Sequence, residues 1–228
     1  MGRISAGSYD LNNWLHGGYE SEVITVIYGP PGAGKTNFCL LAAVSQAKKE
    51  NKVIYIDTEG GFSTERVKQI AANDSERVLK NILLLTPTNF AEQKEAFEQL
   101  LKHLKNEVSL VIIDGMTILY RLDFANAREK DLPEMQKVNG ELVRQLRTLA
   151  EIARKRNIPV LVTGQTYQWE EKTKMVGGDM LRYWGKCLIE LTHDNGKRSA
   201  HLRKHRSLPE QSLPFNIVHE GIKKRGWI

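Results

Sequence analysis

Cysteine is scarce in this sequence, with two residues, Cys39 and Cys187, in a chain of 228. Two cysteines cannot form a disulfide framework or a zinc cluster, which excludes small disulfide-stabilised domains and favours a reducing compartment. No apolar run approaches the roughly 18 residues that cross a membrane, and residues 1–8 contain no apolar signal core. We therefore predict a cytoplasmic protein with no membrane partner.

Proline is also uncommon, at seven residues, and no stretch rich in proline and serine divides the chain. No internal repeat is present either. Hydrophobic residues make up 41% of the sequence, which is enough for a substantial core at this length. These features predict one domain rather than two.

The net charge of +6 is concentrated at one end of the chain. Residues 197–228 contain eight Lys or Arg and two Glu, whereas the preceding residues are balanced in charge. A neutral body with a cationic end is typical of a surface that binds a polyanion such as nucleic acid. A solvated basic tail is the alternative, because charge alone does not specify a partner.

Residues 29–36 match the phosphate-binding pattern G-x-x-x-x-G-K-[ST] in full, between a strand-like run and a helix-like run. Glycines let backbone N–H groups curl around phosphate oxygens, while the lysine reaches the β- and γ-phosphates. The threonine hydroxyl of this pattern binds Mg²⁺. The residues that we expect to contact a nucleotide here are Gly29, Pro30, Pro31, Gly32, Ala33, Gly34, Lys35, Thr36 and Asn37.

Two further apolar runs end in acidic residues. Residues 52–56 lead into Asp57 and Glu59, and residues 110–113 lead into Asp114. Because parallel strands bring their carboxyl ends to the edge where the phosphate loop opens, we expect Asp114 to ligate Mg²⁺ opposite Thr36. A strand-terminal Asp is also a common turn residue, so this expectation depends on the complete phosphate loop.

Alternating strand and helix patterns predict the fold class. Strands are predicted at 23–28, 52–57, 82–85, 110–114 and 158–163, and helices at 37–50, 64–72, 89–105 and 134–155. Asn-Gly at 195–196, between two strand-like runs, predicts a hairpin. We therefore predict an α/β fold with a mostly parallel twisted sheet, flanking helices and a C-terminal antiparallel extension.

In their order along the chain, these motifs resemble the ATPase core of the RecA/RadA recombinases. The residues that carry the resemblance are 11–18, 29–36, 57–62, 65–66, 110–121, 162–165 and 177–178. The resemblance spans nearly the whole chain and implies a single RecA-like P-loop NTPase core over residues 1–228, with ATP and Mg²⁺ as ligands. Since it begins at the core, we expect no N-terminal helical DNA-binding domain.

The resemblance also implies roles for particular residues. Glu59 corresponds to the catalytic glutamate that activates water against the γ-phosphate, with Lys35 as its partner in catalysis. Gln165 corresponds to the residue that senses the γ-phosphate, which an amide can do by hydrogen bonding. Arg66 corresponds to an arginine that stacks on adenine, although on a helix it is equally well explained as a solvated residue.

Two polar segments, residues 121–131 and 166–175, are predicted to be loops, and the first is expected to be mobile. They correspond to the DNA-binding loops of the family. The expected DNA contacts are Arg121 and Arg128 in the first loop, and Trp169, Lys172 and Lys174 in the second. The alternative is that both are ordinary polar loops and that the tryptophan packs back on the body.

Arg203, Lys204 and Arg206 form a basic cluster near the end of the chain. Lys204 and Arg206 are two residues apart, so on a strand their side chains would face the same way. They either point at the nucleotide of a neighbouring subunit, as in hexameric relatives of this fold, or belong to a basic DNA surface with Arg203.

Together these features predict an ATP-binding, weakly hydrolysing DNA-binding protein of homologous recombination and repair. We expect it to prefer single-stranded DNA, to act as an accessory of a RadA-type recombinase, and to form a homo-oligomer or filament. A nucleotide-switched binding module with negligible turnover is one alternative. A hexameric helicase-like motor and a small-molecule kinase are the others, although no arginine-rich lid segment supports the kinase.

Overall fold

The computed structural model of the chain describes residues 2–169 and 172–226. Its helices are α1 (Tyr9–Trp14), α2 (Lys35–Ala47), α3 (Thr64–Ala71), α4 (Ser75–Lys80), α5 (Phe90–His103), α6 (Ile118–Lys130), α7 (Leu132–Arg156) and α8 (Gly178–Trp184). Its strands are β1 (Arg3–Ile4), β2 (Tyr19–Glu20), β3 (Ile24–Gly29), β4 (Lys52–Asp57), β5 (Ile82–Leu85), β6 (Val108–Asp114), β7 (Val160–Trp169), β8 (Lys172–Met175), β9 (Gly185–Asp194), β10 (Lys197–Lys204), β11 (Gln211–Val218) and β12 (Gly221–Lys224). Each of these helices is too short or too polar to cross a membrane.

Most strands belong to one sheet in the order β12-β11-β10-β9-β3-β7-β6-β4-β5, with β8 paired to β7. The strands from β9 to β5 in this order pair in parallel, whereas β10, β11 and β12 continue the sheet in antiparallel fashion. The predicted α/β fold, with its mostly parallel sheet and antiparallel C-terminal extension, is therefore confirmed.

The central strands are covered on both faces, which explains their continuous apolar runs. On one face β3 and β6 pack against α2, where Phe38 and Leu41 are buried. On the other face the same strands pack against α5 and α7, where Phe97 and Leu146 are buried. Helices on both sides leave the two ends of the strands as the accessible parts of the sheet.

The predicted hairpin is formed by β9 and β10, which join at Asn195 and Gly196. Both residues have positive φ, 47° and 75°, as a two-residue hairpin turn of the favoured type requires. In the sheet β9 pairs with β3, and β10, which contains the basic residues at 197–204, lies on the other side of β9.

The described parts of the two segments predicted to be loops have regular structure, so the prediction of loops was wrong. Residues 121–130 belong to α6, because their Ala, Arg, Glu and Lys residues favour a helix and Ala127 is buried. Asp131 then ends α6 and caps α7 by accepting a hydrogen bond from the backbone of Glu134. The second segment pairs as the β7–β8 hairpin, in which Thr166 lies opposite Met175.

Parallel pairing brings three predicted site residues, and Asp57 beside them, to one edge of the sheet. Gly29, the last residue of β3, lies opposite Gln165 in β7. Asp57, the last residue of β4, lies opposite Asp114, the last residue of β6. Ligands bind at this carboxyl edge in α/β sheets, so the register itself assembles a candidate site.

Candidate nucleotide-binding site

The phosphate loop links the end of β3 to the start of α2. A Cβ at Gly29 would lie 2.2 Å from the carbonyl oxygen of Leu191, so only glycine fits there. Gly34 precedes α2 with φ 107°, a left-handed conformation that glycine adopts without strain. The first N–H groups of α2 therefore point into the loop, where a helix N-terminus favours a bound anion.

Lys35 is buried at the base of this loop, with 7% of its surface exposed. Its Nζ donates hydrogen bonds of 3.0 Å to the carbonyl oxygens of Gly29 and Pro30. Burial lowers the pKa of Lys35, while the nearby carboxylates of Glu59 and Asp114 oppose that shift. A buried ammonium held by two neutral carbonyls suits the binding of a phosphate anion.

Asp114 is fixed at the end of β6 by two hydroxyl groups. Its Oδ1 accepts a hydrogen bond of 2.6 Å from Thr163, and its Oδ2 accepts one of 2.8 Å from Tyr55. Only 2% of Asp114 is exposed. Burial, followed by the charge of Asp114, raises the pKa of Tyr55 well above its ordinary value, so this hydroxyl stays a donor. These bonds hold the carboxylate in one orientation.

The two predicted Mg²⁺ ligands, Thr36 and Asp114, lie next to the same glycine. A Cβ built on Gly61 would be 3.2 Å from the Thr36 hydroxyl and 3.9 Å from Oδ2 of Asp114. A hydroxyl and a carboxylate near one another form the oxygen-rich surrounding that Mg²⁺ prefers. The residues present therefore fit this ion.

Asp57 organises the loop that follows β4. Its Oδ1 accepts hydrogen bonds from the backbone N–H groups of Glu59 and Gly61, at 3.1 and 3.2 Å, and its Oδ2 accepts one of 2.8 Å from Phe62. Thr58 ties the same loop to β6 through a backbone hydrogen bond of 3.0 Å to Asp114. The position of Glu59 is thus set by its two preceding neighbours.

Glu59 and Gln165 are in direct contact, although 106 residues separate them. Nε2 of Gln165 donates a hydrogen bond of 2.8 Å to Oε2 of Glu59. The surrounding protein partly desolvates this carboxylate and raises the pKa of Glu59, while the Gln165 bond is the largest opposing influence. A carboxylate with a raised pKa beside a phosphate site is suited to accept a proton from water.

Arg66 connects α3 to the far end of the sheet. Its Nε donates to Oδ1 of Asn37 at 2.8 Å, and its terminal nitrogens donate to the carbonyl oxygens of Val218 and His219 at 2.8 and 2.9 Å. Arg66 thereby positions Asn37 at the start of α2. Its contact with adenine stays a prediction.

Sequence reasoning missed several residues that support the site. Tyr55 and Thr163 look like ordinary strand residues, and Asp57 looks like a turn residue. Arg198 on β10 donates a hydrogen bond of 3.2 Å from Nε to the carbonyl oxygen of Gly32, 166 residues away. No spacing rule connects such distant positions, although the polar residues within apolar strands were a usable signal.

The predicted DNA contacts lie on α6 and on the β7–β8 hairpin. Arg121 and Arg128 are exposed on α6, and Lys174 is exposed on β8. The guanidinium carbon of Arg121 lies 5.7 Å from the centre of the Tyr167 ring. The side chains of Trp169 and Lys172 fall outside the described residues.

The basic C-terminal cluster is bound to the rest of the chain. Arg203 pairs with Glu190 at 2.7 Å, and Arg206 pairs with Glu20 at 3.2 Å. Nζ of Lys204 donates hydrogen bonds of 3.0 and 2.9 Å to backbone carbonyls at 182 and 185. Lys204 and Arg206 do not share one strand face, contrary to expectation, because β10 ends at Lys204 after a bulge.

Comparisons with known proteins agree with this architecture. Residues 1–225 match the Rad51 family. The DNA repair and recombination protein RadB of Methanocaldococcus jannaschii is 39% identical over 213 residues, which cover 93% of this chain and 98% of that protein. RadB of Methanobrevibacter smithii is 39% identical over 223 residues, covering 93% of this chain and 92% of its own length.

A solved structure gives the same result. The crystal structure of the RadB recombinase superposes with a TM-score of 0.82 at 35% sequence identity, covering 98% of this chain and 100% of that one. The resemblance to the RecA/RadA recombinases is confirmed. The chain belongs to the Rad51 family.

Proposed function

We propose that the chain is an ATP-binding, weakly ATP-hydrolysing and DNA-binding protein of homologous recombination and DNA repair. Relatives at 39% identity that carry the name DNA repair and recombination protein support the recombination role. The complete phosphate loop, with its buried Lys35, supports ATP as the nucleotide. In this proposal the chain assists a RadA-type recombinase.

The hydrogen bond between Gln165 and Glu59 is the observation that carries the proposal. Glu59 would orient a water and accept its proton, while Lys35 and the loop N–H groups stabilise the charge on the transferring phosphoryl group. Thr36 and Asp114 would hold Mg²⁺, which when bound neutralises phosphate charge. Gln165 belongs to β7, the first strand of the β7–β8 hairpin. A movement of Glu59 would therefore be passed to that hairpin through Gln165.

The same contact favours a second candidate function, a nucleotide-controlled binding module with negligible turnover. The Gln165 amide donates to one carboxylate oxygen of Glu59, the proposed base, and Lys35 is held by the carbonyl groups of its own loop. Both of these contacts must rearrange before hydrolysis. The two candidates differ in whether Glu59 is required for turnover or only for signalling.

DNA is the proposed macromolecular partner, with single strands preferred, and self-association into an oligomer or filament accompanies it. Arg121 and Arg128 place two exposed cations on one helix at the same edge of the sheet as the phosphate loop. The hexameric motor gains no support from Lys204 and Arg206, because both bind groups of their own chain.

ATP turnover and single-strand binding of Glu59→Gln and Lys35→Ala test the proposal. We expect Lys35→Ala to lose ATP binding, and Glu59→Gln to keep ATP binding while turnover falls by about 10²–10⁴-fold, the usual contribution of a general base. Glu65→Gln is the matched control, since it makes the same change at an exposed position on α3. A coupled phosphate-release assay and fluorescence anisotropy measure the two activities.

Distinct outcomes separate the candidates. If Glu59→Gln leaves both turnover and DNA affinity unchanged, the ATPase assignment fails. If wild-type turnover is no higher than that of Glu59→Gln while ATP still alters DNA affinity, the nucleotide-controlled binding module is the correct function. Repeating the titration with a RadA-type recombinase tests the accessory role, which requires a change in the recombinase's binding or turnover.

A further inference from the structure

Two glutamine side chains are buried where α5 and α7 pack on the sheet. Gln93 on α5 is 0% exposed, and Gln145 on α7 is 2% exposed. Phe97 and Leu146 of the same two helices belong to the apolar cluster on this face of the sheet. A buried amide destabilises a fold unless its polar atoms are hydrogen-bonded. The burial of these two amides therefore indicates a role other than packing.

The two amides form a chain of hydrogen bonds from Glu141 on α7 to the turn after β6. Nε2 of Gln145 donates a hydrogen bond of 3.0 Å to Oε1 of Glu141. Nε2 of Gln93 donates one of 2.8 Å to Oε1 of Gln145 and a longer one of 3.4 Å to the carbonyl oxygen of Met116. Glu141 is partly exposed and also pairs with Arg144. A carboxylate at the surface is thus connected to a buried backbone group.

Met116 lies two residues after Asp114, in the turn that leads from β6 to α6. Its backbone N–H donates a hydrogen bond of 3.0 Å to the carbonyl oxygen of Thr163. The N–H of Gly115 donates one of 2.7 Å to the Thr163 hydroxyl, which itself donates to Asp114. The Thr58 hydroxyl donates one of 2.8 Å to the carbonyl oxygen of Gly115. The hydrogen bond to the Met116 carbonyl therefore acts on a turn that carries a predicted Mg²⁺ ligand.

The charge of Glu141 sets the direction of this chain of hydrogen bonds. A carboxylate only accepts hydrogen bonds, so Gln145 must turn its NH₂ group to Glu141 and its oxygen to Gln93. Gln93 must then turn its own NH₂ group toward Gln145 and the Met116 carbonyl. In this arrangement Oε1 of Gln93 is a buried acceptor with no hydrogen-bond partner among the described residues. An unsatisfied buried acceptor is unfavourable, so the charge at the outer end is what keeps the arrangement.

The same side chains can also adopt the reverse direction. If both amides turned over, Oε1 of Gln93 would accept from Gln145, and the Met116 carbonyl would lose its donor. Gln145 would then present its oxygen to the side chain at position 141, which suits an amide there but not a carboxylate. Neutralising Glu141 therefore favours the arrangement that releases the turn after Asp114.

We infer that Gln93 is a positioning residue for the nucleotide site, which holds the turn after Asp114 in an arrangement that Glu141 selects through Gln145. The inference rests on the proposed binding of ATP and Mg²⁺. It adds a connection between that site and the surface of α7. The connection predicts that a change of charge at Glu141 alters Mg²⁺-dependent binding of nucleotide.

Binding of the fluorescent nucleotide mant-ADP, with Mg²⁺ or with EDTA, tests the role. Gln93→Leu removes the amide at similar size, Glu141→Gln removes only the charge, and a third variant combines the two. Glu98→Gln is the matched control, because Glu98 is exposed on α5 beside Glu141 in the same groove and loses the same charge. Circular dichroism verifies that the variants are folded, and Glu141→Gln serves alone if the buried variant does not fold.

We expect Gln93→Leu and Glu141→Gln each to raise the Mg²⁺ concentration needed for half-maximal binding about fivefold, which corresponds to about 1 kcal/mol. Affinity for mant-ADP in EDTA should stay unchanged, because the turn acts on the Mg²⁺ ligand. Since the two residues act in one chain, the combined variant should lose no more than either single variant. Glu98→Gln should match the wild type.

A second measurement does not depend on nucleotide binding. In protein labelled with carbon-13 at its methionine methyl groups, the nuclear magnetic resonance signal of Met116 can be assigned from Met116→Leu. This signal should shift in Gln93→Leu and in Glu141→Gln, because both release the turn that contains Met116. It should stay in place in Glu98→Gln.

Three outcomes overturn the inference. Losses that add in the combined variant would show that Gln93 and Glu141 act separately. An unchanged Mg²⁺ requirement, or an equal loss with Mg²⁺ and with EDTA, would show that the amides only pack α5 against α7. An unshifted Met116 signal in Glu141→Gln would contradict the reversal of the amides. Absence of nucleotide binding by the wild type, with the Met116 shift still present, would instead contradict the proposed ATP binding and support the chain of hydrogen bonds.

Discussion

Tyr55 and Tyr19 both bury a hydroxyl group, yet within the described residues only that of Tyr55 has a hydrogen-bond partner. Tyr55→Phe should lower the free energy of unfolding by about 1.5–3 kcal/mol, because it removes a hydrogen bond to the charged Asp114. Tyr19→Phe should be neutral or stabilising, because it removes an unsatisfied buried group. Urea denaturation measures both, and equal losses in the two variants would contradict this account.

The contrast shows which site residues a sequence can identify. Lys35 belongs to a contiguous motif, and Asp114 ends an apolar run, so each could be predicted from its neighbours alone. Tyr55 and Thr163 lie inside strands, where tyrosine and threonine are common for reasons unrelated to function. Their roles depend on the register of β4, β6 and β7, which the sequence does not specify.

The β9–β10 hairpin is the element that extends the site beyond the parallel sheet. Arg198 on β10 donates to the carbonyl of Gly32 in the phosphate loop. In the strand register Arg198 lies opposite His193 of β9. Gly34, at the end of the loop, lies near Phe215 and Ile217 of β11. The antiparallel extension thus supports the phosphate loop from the side opposite to β7.

Arg198→Gln should weaken nucleotide binding about fivefold, since one hydrogen bond contributes about 1 kcal/mol and a flexible loop binds phosphate less well. Lys197→Gln is a suitable control, because neighbouring residues on a strand face opposite sides and Lys197 is exposed. Calorimetric titration with ADP measures the affinity. An equal loss in the control would mean that general charge, rather than the contact with Gly32, is responsible.

At the level of elements, the sequence predicts the central sheet well and its polar additions poorly. Long apolar runs identify the parallel strands, and Asn195 with Gly196 identifies the hairpin turn. Residues 121–131 and 166–175 were expected to be loops because they are polar. Helix propensity decides the structure of the first segment, and strand pairing decides that of the described part of the second.

On the scale of the whole molecule, the excess positive charge is less available than the sequence suggests. Glu20, which is 4% exposed, pairs with Arg3 at 3.1 Å and with Arg206 at 3.2 Å. His205 lies 3.7 Å from the same carboxylate, and burial lowers the pKa of His205, which favours its neutral form. This cluster joins the β1–β2 ribbon to the end of β10, across 186 residues of sequence.

Arg206 is therefore expected to act as a structural link rather than as a DNA contact. Arg206→Ala should lower the free energy of unfolding by about 1–3 kcal/mol, because it leaves Glu20 buried with fewer partners. Glu20→Gln should destabilise the protein as well, since it removes the charge that holds Arg3 and Arg206. Neither variant should change the dependence of single-strand affinity on salt concentration, which reports the number of cations bound to phosphates.

Denaturation and salt titrations of Arg206→Ala and Glu20→Gln together decide between the two roles. A direct phosphate contact would lower the salt slope by about one in Arg206→Ala and leave it unchanged in Glu20→Gln. That result, with little loss of stability, would show that Arg206 contacts DNA. A loss of stability in both variants with an unchanged slope would leave α6 and the β7–β8 hairpin, at the other end of β3, as the cationic surface for the strand.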